Sequence, residues 1–165
     1  MRIKNSKIII LNIIGLILFI LPVFKLDLYT ENYSTLSLGT RGYLYLLFLG
    51  IILGSLMGYE TYKRNAVCGI LIFVSLILGT LIPHQVPYGL RGNVHLFLAY
   101  LGGFILIVMT YLNLFLSRHD HLRQLFVLMI CAAVLIYLKY GMVNTLSEII
   151  IMISCMYCAL YLYLE

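Results

Sequence analysis

Charge is scarce in this chain. Its 165 residues hold 11 lysines and arginines and 6 aspartates and glutamates, so 10% are charged while 63% are hydrophobic. A soluble domain carries about 25% charged residues. The scarcity is also uneven: residues 8–24, 42–59, 66–83, 96–117, 124–138 and 149–164 contain no charged side chain at all. With a mean hydropathy of +1.05, the chain holds more apolar surface than a water-soluble fold of this size can bury. That class is excluded, and lipid is the expected solvent for most of the sequence.

Other absences narrow the reading further. The formal charge of +5 has no clustered basic footprint. It is spread over segment ends, which argues against nucleic acid and for membrane topology and anionic lipid. Only four cysteines occur, Cys68, Cys131, Cys155 and Cys158, all inside apolar runs, so no disulfide framework follows. Cys155 and Cys158 have C-x-x-C spacing but share one expected helix, with no second pair and no neighbouring histidine. They read as small packing residues rather than a metal or redox site, and no cofactor is expected. There is no repeat of fixed period and no low-complexity segment. The basic start, Arg2, Lys4 and Lys7, precedes a hydrophobic stretch as in a signal peptide. However, Lys25-Leu26-Asp27-Leu28 after it offers no small-x-small cleavage site, so a retained helix is expected.

What is present is a set of apolar runs, each near the length that crosses about 30 Å of hydrocarbon at about 1.5 Å per residue. They predict an all-α, polytopic membrane helix bundle forming one domain over residues 1–165, with six spans at roughly 8–24, 43–60, 66–83, 95–116, 125–139 and 145–164. The fifth is the shortest and could be tilted or re-entrant. With the N-terminus in the cytoplasm, the inner segments hold Arg2, Lys4, Lys7, Lys63, Arg64, Arg118 and Arg123, and the outer ones Lys25, Arg41, Arg91 and Lys139. This positive-inside bias places both termini in the cytoplasm, and a bacterial inner membrane is the expected location. The longest polar stretch is the first outer loop, residues 25–42. In the second, residues 83–95, Pro83, Pro87, Gly89 and Gly92 are expected to force bends and forbid a helix. Asn32-Tyr33-Ser34 matches a glycosylation sequon, but so short a motif reads as chance.

Gly50, Gly54 and Gly58 recur at every fourth position of the second segment, and Ala99 and Gly103 repeat that spacing on the fourth. Lipid supplies little hydrophobic drive between helices, so small residues that admit close backbone approach mark packing ridges. The ridge serves contact within the bundle or, alternatively, a homo-oligomer.

Ionisable groups in membrane segments are costly and point to function or to a structural lock. His84, His95, Glu148, Arg41 and Arg91, with Asn144 beside the glutamate, are expected at one outer depth. His95, Ala99 and Gly102 share a face of one helix, and Glu148, Met152 and Cys155 a face of another. Each polar group is thus followed inward by small or soft residues, a pattern suited to a shallow pocket in which a carboxylate finds a cationic or hydrogen-bonding partner. The alternative is a polar lock that fixes helix ends, with the glutamate favoured by the helix dipole. Haem ligation by the two histidines is disfavoured by their shallow depth. On the cytoplasmic side, His119 and His121 lack a further ligand nearby, and Arg118-His119-Asp120-His121 reads as a solvated, topology-setting loop.

Three stretches together carry a resemblance: Asn32-Tyr33-Ser34-Thr35-Leu36-Ser37-Leu38-Gly39, the segment from Pro83 to His95-x-x-x-Ala99, and Gly141-Met142-Val143-Asn144-Thr145-Leu146-Ser147-Glu148. The set resembles a six-helix bacterial membrane protein family, a domain of unknown function sometimes grouped with the DRAM and Sfk proteins. The resemblance implies a six-helix fold over most of the chain, with Pro83, His95 and Glu148 on the outer side. The family's arginine directly after the glutamate is Ile149 here, and no reaction is implied.

The leading expectation is a non-enzymatic integral membrane protein, an accessory or sensor subunit, whose outer pocket binds a lipid headgroup or small ligand. Its expected partners are membrane lipid and either its own copies or another membrane protein. The alternative is an intramembrane metal-assisted or acid–base hydrolase using His84, His95 and Glu148. Against it stands the absence of a His-x-x-x-His pair and of a Gly-x-Ser-x-Gly elbow. A channel or transporter lacks its usual mid-membrane charge or broken helix. A membrane defence or immunity protein has no composition signature of its own.

Overall fold

A computed structural model describes residues 4–83 and 89–164, and the described residues are helical with no strand. Six α-helices occur: α1 Lys4–Ile20, α2 Thr40–Tyr62, α3 Ala66–Leu81, α4 Leu90–Leu116, α5 Asp120–Tyr140 and α6 Thr145–Leu164. Two 3-10 helices, Leu21–Phe24 and Tyr33–Leu38, lie between α1 and α2. Among the described residues, four helices are long and apolar enough to cross a membrane: α2, α4, α5 and the Thr145–Leu162 part of α6. The remaining apolar helices, at Ile8–Phe24 and Ala66–Leu81, are shorter.

The helix bounds differ from the charge-free runs for physical reasons. A run without charge marks hydrocarbon, whereas a helix continues into the headgroup layer, where charged side chains are solvated. Thus α5 extends over 21 residues, Asp120–Tyr140, rather than 125–139, taking in Asp120 and Arg123 at its start and Tyr140 at its end. Helix α4 starts at Leu90 rather than 95. Arg91 and Gly92 are therefore helical, and the expected break through Gly92 is absent, since one glycine in a helix costs only about 1 kcal/mol. Conversely, α1 gives way to the 3-10 helix at Leu21 because Pro22 lacks the N–H that would continue the α-helical ladder.

The chain divides into two compact units, residues 33–106 and residues 1–32 with 107–165, with the boundary falling inside α4. In the first, α2 and α3 form a hairpin turned at Lys63-Arg64-Asn65. Asn65 stops α2 and caps α3, its side chain accepting from the Cys68 N–H at 3.0 Å. Leu46, Leu49, Leu53, Met57 and Ile72 are buried. The glycines of α2 set how closely the two helices approach. A methyl group on Gly58 would stand 2.9 Å from the Phe73 Cβ and 3.0 Å from the Gly69 carbonyl; on Gly50 it would collide with Thr80. Gly69 answers from α3, directly against the backbone of Tyr62 and Gly58. On α4 the packing glycine is Gly102, where a Cβ would lie 3.2 Å from the Ser75 Cβ. Gly103, expected from the four-residue spacing, has open space around it. Ala99 takes part through its backbone, its N lying 3.7 Å from a Cβ placed on Gly79.

In the second unit, α6 packs against both α1 and α5. Leu114, Phe126, Ala133, Cys155, Met156 and Cys158 are buried, while Leu128, Leu135 and Leu138 stand exposed along α5. A row of exposed leucines on that scale suits lipid and not water.

Candidate functional site

Of the polar groups singled out by sequence, His95 and the Asn144–Glu148 pair meet two helix ends, one in each unit. The first is the C-terminus of α3. The last carbonyls of a helix lack intrahelical donors, and Pro83 makes this end worse: it occupies the position whose N–H would reach the Gly79 carbonyl. His95, only 3% exposed, supplies the missing donor. Its Nδ1 lies 2.7 Å from the Gly79 oxygen and 2.7 Å from the Ile82 oxygen. Both partners are carbonyls and can only accept, so Nδ1 carries hydrogen and donates to both. This fixes the tautomer: in the uncharged ring Nε2 is the acceptor. It faces the Ser34 hydroxyl at 2.8 Å, so Ser34 donates to it. Ser34 is itself held in the 3-10 helix Tyr33–Leu38, where the Ser37 hydroxyl donates to the Ser34 carbonyl at 2.7 Å. Nearby, the Tyr43 hydroxyl of α2 donates to the Leu81 carbonyl at 2.9 Å.

The second end is the N-terminus of α6, and every one of its first amide donors has a named acceptor. Thr145 N–H donates to the Glu31 carbonyl at 2.6 Å and Leu146 N–H to the Leu28 carbonyl at 3.0 Å. Ser147 N–H donates to the Asn144 side-chain oxygen at 3.0 Å. The Ser147 hydroxyl bonds back to Asn144, accepting from its N–H and donating to its carbonyl. This is a reciprocal capping box with serine in the third helical position. The Asn144 amide reaches on to the Tyr29 carbonyl at 3.3 Å, and the Thr145 hydroxyl to the Glu31 carbonyl at 2.8 Å. Asn144 and Thr145 are fully buried. The loop supplying these carbonyls is shaped by Asp27, whose carboxylate accepts from the Tyr29 and Thr30 amides at 2.8 and 3.1 Å. Those bonds hold its pKa below the ordinary aspartate value.

Of the sequence candidates, Asn144 and Glu148 belong to the unit that contains α6, and Arg41, Arg91 and His95 to the other. His84 lies outside the described residues. Glu148 is half-buried in the first turn of α6, where the helix dipole favours a carboxylate. Arg41 and Arg91 are exposed in the first turns of α2 and α4. Among the described residues no group of three or more histidines, cysteines or carboxylates is placed to hold a metal ion. Cys155 and Cys158 are buried free thiols on α6. His119 packs edge-on against the Tyr161 ring at 5.4 Å, and Asp120 pairs with Arg123 at 2.8 Å.

Sequence reasoning missed Ser34 and the carbonyls of Gly79 and Ile82 as the partners of His95. Pro83 was the available signal, since a proline four residues past a helical glycine removes that glycine's donor. Comparison with protein-family models, curated proteins and solved structures finds no match to this chain.

Proposed function

We propose that this is an integral membrane protein that crosses the bilayer six times with both termini in the cytoplasm, and that its outer end binds an anionic lipid headgroup through Arg41 and Arg91. The observation that supports this reading is how the polar groups at these helix ends divide. Ser34, His95, Asn144, Thr145 and Ser147 are engaged in hydrogen bonds within the protein. Arg41 and Arg91, with Lys25 and Lys139, are exposed. Arginine in the first turn of a helix opposes the helix dipole, so Arg41 and Arg91 are placed against the preference of their own helices. A phosphate beside each would reverse the sign of that interaction and take up the guanidinium donors in pairs. In the six-span reading all four cations stand in one leaflet, at the depth of lipid phosphates. His95 and Asn144, expected as ligand groups, also hold these helix ends in place through their hydrogen bonds.

The test is native mass spectrometry of the chain in mild detergent after exchange into phosphatidylglycerol or phosphatidylcholine. Retention of phosphatidylglycerol, lost in the Arg41→Gln/Arg91→Gln double variant with the thermal transition unchanged, is expected. Equal retention of both lipids, or retention indifferent to the arginines, overturns the assignment.

A further inference from the structure

The bond between Ser34 and His95 has a chemical consequence beyond holding a helix end. We propose that Ser34 is a nucleophile and His95 its general base, and that the pair cleaves a carboxylic ester of a lipid acyl chain. The activity is independent of which side of the membrane the pair faces and of whether Arg41 and Arg91 bind phosphate.

Three observations carry it. First, Oγ of Ser34 and Nε2 of His95 are 2.8 Å apart, within the range in which a base takes a hydroxyl proton. Second, the far nitrogen of the ring is oriented by acceptors, which is the part a carboxylate plays in a hydrolytic triad. Here the carbonyls of Gly79 and Ile82 do so, each 2.7 Å from Nδ1. They belong to the C-terminal end of α3, so the ring is oriented by the backbone of a neighbouring helix. Third, His95 is buried while Ser34 is only partly buried, so the base is shielded more completely than the nucleophile. Ser34 lies on the short segment that joins a polar loop to an apolar helix, and exposed Leu38 and Leu44 follow it. Apolar surface next to a polar boundary matches the ester region of a lipid.

The step balances with water as the only co-reactant. Ser34 Oγ forms a bond to the acyl carbon as the ester C–O bond breaks. The hydroxyl proton passes to Nε2 and then to the departing alkoxide. Water, deprotonated by the same Nε2, attacks the acyl-serine and releases the carboxylic acid, and Nε2 returns the proton to Ser34. Nδ1 keeps its hydrogen throughout, so the imidazole begins and ends in the same tautomer.

The experiment exposes the full chain in detergent to an alkyl fluorophosphonate and, separately, to a p-nitrophenyl acyl ester. Mass spectrometry is expected to find one phosphonyl group per chain on the peptide containing Ser34, with ester turnover abolished by the label. Ser34→Ala, which removes one oxygen, should lose both signals. His95→Asn keeps an amide donor for the α3 carbonyls and should slow labelling by about 100-fold or more. A wild-type chain with an intact thermal transition that takes up no label overturns the proposal. So does labelling unchanged in Ser34→Ala, or a labelled Ser34 without ester turnover.

Discussion

His95 stands in for a backbone amide. Its Nδ1 hydrogen meets the Gly79 carbonyl at 2.7 Å, the position from which Pro83 removes the ordinary helical donor. The histidine on α4 and the proline after α3 are therefore one device, made from residues 12 apart in sequence. Replacing His95 by alanine leaves buried acceptors short of a donor and should destabilise the chain by about 1–3 kcal/mol. In a Pro83→Ala background an amide becomes available to Gly79, and the loss should shrink by on the order of 1 kcal/mol. Thermal unfolding of the four proteins of this cycle in detergent measures it. Additive losses would show that His95 does not replace the missing amide.

The glycines differ in what surrounds them, and alanine substitutions should rank accordingly. A Cβ at Gly69 meets the Tyr62 backbone, which cannot yield, whereas at Gly54 the nearest atoms lie at 3.4 Å and at Gly103 there is open space. Overpacking a helix contact costs about 1–3 kcal/mol, while glycine to alanine inside a helix returns up to about 1 kcal/mol. Gly69→Ala should therefore be clearly destabilising, Gly54→Ala near neutral and Gly103→Ala neutral to stabilising. Melting temperatures of the three variants decide it, and a destabilised Gly103→Ala would contradict the ordering.

The helices were legible in the sequence because each charge-free run must satisfy its backbone internally when lipid surrounds it. Their ends were less so, because helix and hydrocarbon stop at different places, as Leu90 and Asp120 show. The Gly50, Gly54 and Gly58 ridge was visible as a period, but the choice of Gly102 over Gly103 was not visible in the four-residue spacing. It follows from the phase of α4 set by His95, since positions 95, 99 and 102 share one face. The Ser34–His95 bond spans 61 residues and joins a 3-10 helix to α4, two elements with no common spacing. Apart from the Gly79 carbonyl, which Pro83 marks, the carbonyls that engage His95 and the α6 amides leave no mark on side-chain identity.

Asn144 performs two tasks with two atoms, and its variants separate them. Its Oδ1 caps Ser147 and its Nδ2 reaches the Tyr29 carbonyl. Asn144→Ala loses both and should cost about 1–2 kcal/mol from the cap alone. Asn144→Asp keeps the cap and adds charge at the favourable end of the α6 dipole, but turns an acceptor towards the Tyr29 carbonyl. It should fall between wild type and alanine in thermal stability. An aspartate variant as weak as alanine would show that the loop contact, rather than the cap, is what matters.

Among the described residues, two hold left-handed backbone at helix ends, Gly141 after α5 with φ of 70° and Arg118 after α4 with φ of 59°. The Gly141 N–H closes α5 onto the Tyr137 carbonyl, and the His119 N–H reaches back to Leu114. For residues other than glycine this conformation costs roughly 1–2 kcal/mol. Gly141→Ala should therefore lower stability by about 1 kcal/mol although the space beside it is open, and Arg118→Gly should raise it by a similar amount. Opposite signs in thermal unfolding are the expected result. Two changes of the same sign would rule out backbone conformation as their source.

Acid should act on the loop that caps α6. The Asp27 carboxylate accepts backbone hydrogen bonds, first from Tyr29 and then from Thr30, and its pKa is lowered from 3.8 in the folded chain. A lowered folded-state value means that the carboxylate contributes stability above pH 3.8 and loses it as the pH falls through the folded value. Asp27→Asn should accordingly be less stable than wild type at neutral pH, and the gap between the two should close at pH values well below 3.8. The same titration should loosen Tyr29, whose carbonyl receives Asn144, so the Asn144→Ala deficit should also shrink in acid. Melting curves of wild type, both single variants and the double variant across that range test the linkage. A gap between wild type and Asp27→Asn that stays constant with pH would show that Asp27 does not shape the loop.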